Sequence, residues 1–218
     1  TWNKVFFGMK GGQGSGAGWT VTNSMVINYM SSHDNNTLWD KLILSAPNAS
    51  EDVRNQMNNL GAAINLISKG TPFWQAGEEM LRTKDGDENS YKSSDAINNI
   101  DWSVLKEGSN EYNMMLYYQE LIRIRKEYDI FRTLNTAVMA NTSLGEGKVA
   151  ITIDNHTGQK ALVVANPTGE AMTYTPTGSW YMIINGETVM AGPEEVSGAI
   201  TVPAYSAVIL VSGSCLNG

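Results

Sequence analysis

The sharpest chemical signal in the 218-residue sequence is Ser31-Ser32-His33-Asp34-Asn35, which delivers an imidazole and a carboxylate side by side. It follows Ser24 to Met30 (SMVINYM), a continuous apolar run of strand length that reads as a parallel strand buried on both faces. The pair would then stand at the strand's C-terminal end, where α/β-barrel enzymes gather their catalytic groups. On the dipeptide alone a second reading is open, in which Asp34 or Asn36 caps the next helix and His33 is a surface histidine. A second cluster, Gly77-Glu78-Glu79 followed by Leu81-Arg82-Thr83-Lys84, also lies just past an apolar run. Either Arg82 and the loop after it wall a sugar site, or the two glutamates open a helix and Arg82 neutralises them. Trp39, Trp74, Tyr91 and Trp102 could stack on pyranose rings or simply pack in a core.

Other chemistries are poorly supplied. His156, within Asp154-Asn155-His156-Thr157-Gly158, reads as part of a turn. The single cysteine, Cys215, lies in a polar tail, so there is no disulfide framework, no thiolate metal cage and no nucleophilic triad. No cofactor is expected. Calcium could sit in the acidic run Asp85-Gly86-Asp87-Glu88, which lacks the full spacing of a calcium loop. With 22 acidic against 15 basic residues and a net charge of −7, nothing draws the chain to nucleic acid or to an anionic membrane surface. No apolar run approaches the roughly 18 to 20 residues of a membrane span. No basic-then-apolar leader opens the sequence, and Thr1 as first residue suits a processed or excised chain.

The elements that must position these residues can be read in order. Thr1 to Trp19 is apolar and then glycine-rich, a loop or edge with no element long enough to stand alone and no chemistry. After the short segment TLWDKLIL, Asn48-Ala49-Ser50-Glu51 signals a helix start. Val53, Met57, Leu60, Ile64 and Ile67 follow at helical spacing, with Gly70 and Pro72 as stop signals. The chain then re-enters the apolar stretch TPFWQAGEEML, which completes the order strand, helix, strand. A polar loop from Arg82 to Asn110 precedes a second amphipathic helix carrying Met114, Tyr117, Leu121, Ile124 and Tyr128. From about Phe131, short β-rich runs separated by Gly, Pro, Asn and Asp predict an antiparallel β-sandwich of about 80 residues, with a domain boundary near residue 130.

Two stretches, VINYMSSHDNNTLWDKL and INLISKGTPFWQAGEEMLRTKDGDENSYKSSDAINNIDWS, closely resemble the last third of type I pullulanases, in glycoside hydrolase family 13 of the alpha-amylase superfamily. Order and spacing match from about Ser24 to Trp102. The later helix with IRIRKEY and the final PAYSAVILV agree with that family's end. The resemblance implies an α/β plus all-β chain: residues 1–130 as the C-terminal part of a (β/α)8 barrel, then residues 131–218 as an antiparallel β-sandwich domain. It implies hydrolysis of α-1,6 links in pullulan, amylopectin and limit dextrins with retention of configuration.

In that family the His-Asp strand is the seventh of the barrel. Asp34 would be the third catalytic carboxylate, stabilising the oxocarbenium-like transition state, and His33 would hydrogen-bond the sugar. Asn35, Arg82, Asn89 and Tyr91 would line the same cleft. The nucleophile, the acid/base and the Tyr-Asn-Trp-Gly-Tyr-Asp-Pro signature of pullulanases come from strands upstream of anything in this sequence. Two βα units cannot close an eight-stranded barrel, so the chain is expected to need those strands and to be inactive alone. The alternatives are a non-catalytic carbohydrate-binding or structural module, and a related amylase, neopullulanase or isoamylase specificity.

Overall fold

A computed structural model describes residues 2–12, 20–186 and 188–216. The first helix, α1 (Trp2–Met9), corrects the expectation that this segment is a loop or edge. It forms because Phe6 and Met9, three residues apart, reach the core together, and because the Met9 carbonyl accepts a hydrogen bond from the Lys69 amide at 2.8 Å. Most of the glycine-rich stretch after it lies outside the described residues.

The apolar run at Ser24 to Met30 is also corrected. Asn23–Met25 forms a 3-10 turn, and the strand, β1 (Ile27–Asn28), has two residues. Nor is the run buried on both faces, since Met25, Ile27 and Tyr29 are 67%, 60% and 58% exposed. Among the described residues β1 has one neighbour, β2 (Thr71–Pro72), so its other edge is uncovered. The pairing of Ile27 with Thr71 is parallel, as the order strand, helix, strand requires.

Two helices make the crossover. TLWDKLIL, expected as a short segment, is largely helix α2 (Leu38–Ser45), and α3 (Glu51–Leu66) follows. The Ser50 hydroxyl accepts the Val53 amide at 3.3 Å and so caps α3, with Glu51 and Asp52 in the favourable first turn. At the other end, Arg125 donates to the carbonyls of Leu66, Ser68 and Gly70, satisfying acceptors that a helix terminus leaves open. Gly70 has φ of +92°, and a Cβ there would stand 2.5 Å from the Val26 carbonyl oxygen, so glycine lets the chain pass close beside β1.

The long polar loop is ordered by 3-10 turns at Ser90–Lys92 and Trp102–Val104 and by one turn of helix, α4 (Asp95–Asn98). Helix α5 (Asn110–Glu127) buries Met114, Tyr117, Leu121 and Ile124 of the expected stripe together with Tyr118, which that stripe does not include, while Tyr128 is half-buried just past the helix end. The short α6 (Asp129–Arg132) leads into eight strands: β3 (Val138–Ser143), β4 (Val149–Asp154), β5 (Lys160–Asn166), β6 (Met172–Tyr174), β7 (Trp180–Asn185), β8 (Thr188–Val196), β9 (Ile200–Val202) and β10 (Ser206–Val211). Six form one antiparallel sheet in the order β3-β4-β5-β10-β7-β8, and β6 pairs with β9 separately.

Alternation along the central strands divides the core in two. Ala161, Val163, Ala165, Ala207, Ile209 and Val211 pack with the side chains of α3 and α5. Leu162, Val164, Val208 and Leu210 point the other way and pack against Ile200 and Val202 of β9. The result is a mixed helix and sheet molecule whose antiparallel layers are consistent with a β-sandwich. Among the described residues no helix is long and apolar enough to cross a membrane.

Candidate active site

His33 and Asp34 sit in the turn that leaves the C-terminal end of β1. Both side chains are nearly fully solvent-exposed, and Nε2 of His33 lies 3.5 Å from Oδ2 of Asp34. Asn35 follows in a left-handed conformation with φ of +71°, and its side-chain oxygen accepts the Asn36 amide at 2.9 Å, a local loop that replaces a conventional turn bond. Neither Asp34 nor Asn36 caps the next helix. That role falls to Thr37, whose hydroxyl accepts the Asp40 amide at 3.1 Å. Asp34 is therefore uncommitted to helix capping and open to solvent.

The second loop begins at Gly77, whose φ of +95° turns the chain after β2; a Cβ there would stand 2.5 Å from the aliphatic stem of Arg82. The guanidinium of Arg82 donates to the carbonyls of Ala76 and Asn98, and it forms no ion pair with Glu78 or Glu79. The reading in which Arg82 neutralises those glutamates is thus corrected: the backbone holds the arginine and Gly77 gives its stem room. Glu79 instead accepts the Gly77 amide at 2.9 Å.

Asn89 and Tyr91 are exposed further along the same loop, with the Lys92 ammonium 5.2 Å from the Tyr91 ring centre. Trp102 is exposed as well, whereas Trp74 packs against Tyr118 with ring centres 5.1 Å apart and Trp39 lies against the core. In the acidic run, Asp87 accepts the Ser93 hydroxyl and the Asn89 amide. Among the described residues no three His, Cys, Asp or Glu side chains gather where a cation could bind. His156 lies in a turn, φ +65°, with its amide donating to Asp154 Oδ1 at 2.8 Å.

The two loops are held to one framework by two buried carboxylates, Asp40, which no motif marks, and Glu78, whose burial and partners its sequence cluster does not reveal. Asp40, 3% exposed, accepts the Thr83 hydroxyl at one oxygen and the Lys84 amide at the other, 2.8 Å away. Glu78, 5% exposed, accepts the Ser31 hydroxyl at 2.6 Å on Oε2 and the Tyr118 hydroxyl at 3.1 Å on Oε1. Asn58 on α3 in turn donates to the Tyr118 oxygen at 3.1 Å. Burial pushes the Glu78 carboxyl up from 4.5 to about 7, against the opposing effect of the two hydroxyl donors, and the neighbouring charge of Glu79 adds to the rise. Burial likewise raises the Tyr118 phenol. No spacing rule points from Glu78 to Tyr118, 40 residues on; the one local signal was a glutamate directly after an apolar run.

His33, Asp34 and Asn35 therefore share one turn, and Arg82, Asn89 and Tyr91 share one loop. A cavity of about 580 Å³ is lined by Arg82 with Trp39, Leu81, Thr83, Ile97 and Asp101, and His33, Asp34, Asn35, Asn89 and Tyr91 are not among its walls.

No protein-family model matches the chain. The pullulanase of Bacillus subtilis strain 168 is 40% identical over 114 residues, which are 52% of this chain and 16% of that protein. The solved structure of pullulanase from Bacillus acidopullulyticus superposes with a TM-score of 0.85 at 31% identity, covering 96% of this chain and 26% of that one. Type I pullulanase from Bacillus subtilis str. 168, solved in complex with maltose, gives a TM-score of 0.86 at 26% identity, covering 96% of this chain and 31% of that one. The chain thus spans a third or less of the length of these relatives. These matches make the chain similar to starch-debranching glycoside hydrolases. In particular, it is similar over nearly its whole length to the C-terminal region of type I pullulanases.

Proposed function

We propose that this chain is the part of an α-1,6-glucan debranching hydrolase that supplies the third catalytic carboxylate, Asp34. The observation that carries the proposal is the exposed His33–Asp34 pair, 3.5 Å apart, at the C-terminal end of a parallel strand. The relatives are named pullulanases, and one of them is solved with maltose. In this reading the substrates are pullulan, amylopectin and limit dextrins. Residues 1–130 are the last part of a (β/α)8 barrel, and residues 131–218 are a C-terminal β-sandwich domain.

The chemistry is retaining hydrolysis. A nucleophile and an acid/base held about 5 to 5.5 Å apart act in sequence, and both come from barrel strands upstream of this segment. The Asp34 carboxylate strengthens its hydrogen bond to the sugar as positive charge develops on the ring, and His33 hydrogen-bonds the same glucose. Asn35, Arg82, Asn89 and Tyr91 line the cleft. Supplied with one of three carboxylates, the 218-residue chain alone does not turn over pullulan.

The test uses a longer protein that carries this sequence together with the upstream barrel strands. Asp34→Ala is expected to keep its circular dichroism and melting behaviour and to lose at least about 10³-fold in maltotriose release from pullulan. Full activity in that variant would overturn the assignment. Pullulan hydrolysis by the 218-residue chain at a rate comparable to the longer protein would overturn the division of the catalytic groups.

A further inference from the structure

Apart from the packing of Met30 against the core, the turn that displays Asp34 has few ties to the rest of the molecule. Among the described residues, a single hydrogen bond joins residues 30–36 to any other element, the one from the Ser31 hydroxyl to Glu78 Oε2 at 2.6 Å. The other bonds of this stretch run from Asn36 to the Asn35 side chain, and the His33–Asp34 contact is internal to it. Ser31 is buried, three residues before Asp34.

Its partner is anchored in depth. Glu78 lies in the 3-10 turn after β2, its second oxygen takes the Tyr118 hydroxyl, and Tyr118 receives the Asn58 amide. Tyr118 is 2% exposed, on the face of α5 that also buries Leu121 and Ile124 in the main core. A chain of three hydrogen bonds thus runs from helices α3 and α5, through one carboxylate, to the base of the turn. The donors converge on the carboxylate: Asn58 donates to Tyr118 and Tyr118 to Glu78 from one side, and Ser31 donates to Glu78 from the other. Such a network in a buried, low-dielectric place resists distortion more than its separate bonds would.

We infer that Glu78 is a positioning residue, gripping Ser31 so that the His33–Asp34 turn is held in one orientation against the packed helices. It touches neither His33 nor Asp34 and acts on them through Ser31. The burial that raises the Glu78 carboxyl to about 7 shows how much desolvation the protein tolerates to keep an acceptor at this spot. This inference rests on the reading that Asp34 serves the reaction.

The experiment measures kcat and KM for pullulan on the longer protein carrying this sequence, with Ser31→Ala, Glu78→Ala, the two combined, and Glu78→Gln. Because misplacing a catalytic group by about 1 Å costs up to about 10²-fold in rate, Glu78→Ala is expected to lower kcat roughly 10-fold or more while KM changes less than about 3-fold. Adding Ser31→Ala to it should cost no more than about 2-fold further, since both act through one bond. Glu78→Gln, which keeps shape and one acceptor, should return kcat to within about 3-fold of the parent. Independent, multiplying effects of Ser31→Ala and Glu78→Ala would overturn the inference, as would a changed melting temperature with kcat intact. If Glu78→Ala does not fold, unchanged kcat in Ser31→Ala overturns it by itself. An inactive Asp34→Ala beside fully active Ser31 and Glu78 variants sinks this inference alone, whereas an active Asp34→Ala sinks the reading beneath it.

Discussion

Strands β5 and β10 bury every residue except Lys160, while β1 leaves Ile27 in water with Met25 and Tyr29 beside it. The contrast extends to polar atoms. Among the described residues, every buried side-chain nitrogen or oxygen without a protein partner lies between Trp2 and Arg82, several of them asparagine oxygens on α3, and none lies in the strands from β3 onward. The six-stranded sheet covers one face with α3 and α5 and the other with β6 and β9, so both sets of alternating side chains find partners. The β1–β2 pair has two residues on each strand and an open edge. Stability is thus concentrated in the sheet and in the helices on it; the His33–Asp34 turn is tied to that mass through Glu78, and the Thr83–Lys84 loop is tied to α2 through Asp40.

The contrast can be tested on the chain itself. Ile209→Ala, at a fully buried position in β10, should cost about 4 kcal/mol in denaturant unfolding, since it removes a large side chain from a site closed on all sides. A loss below about 1 kcal/mol would mean that the sheet is not the stable part. Glu78 comes next. With its carboxyl raised from 4.5 to about 7, the folded chain holds a proton between those values that the unfolded chain has released. Stability should therefore be greatest below about pH 4.5 as far as this group is concerned, fall as pH rises through about 7, and level off above, a loss of about 3 kcal/mol. Glu78→Gln should remove that slope from a pH series of melting curves; a slope unchanged in the variant would assign it to other groups.

Smaller effects sharpen the boundary between the two regions. Ser50→Ala deletes the cap of α3 and should cost about 1 kcal/mol, read as a shift in unfolding midpoint without a change in slope. Ile27→Ser should move stability by no more than about 0.5 kcal/mol, because that side chain is already 60% exposed. A cost of several kcal/mol at Ile27 would show β1 to be as well packed as β10, and the contrast would disappear.

What was legible in the sequence was what neighbouring residues decide. The run from Val53 to Ile67 folds as α3 and is capped at Ser50 as its start signal indicates, because a hydroxyl three residues before a free amide needs no distant partner. The stripe Met114, Tyr117, Leu121, Ile124 is buried for the same local reason. The glycine-, proline- and asparagine-punctuated runs after Phe131 become antiparallel strands because alternation and turns are encoded within a few residues. Tertiary structure alone decided the rest. The apolar run before His33 is long enough for a buried strand, yet its ladder ends at Asn28, opposite Pro72, and the strand extends no further than its partner does. Helix α1 forms on the core that α3 and α5 help to build, contacts absent from its own eight residues. Glu78 became a buried acceptor for Ser31 and Tyr118 because the crossover and α5 bring together groups 47 and 40 residues apart, and hydrogen bonding of that kind depends on distance in space, which residue types and spacing along the chain do not contain.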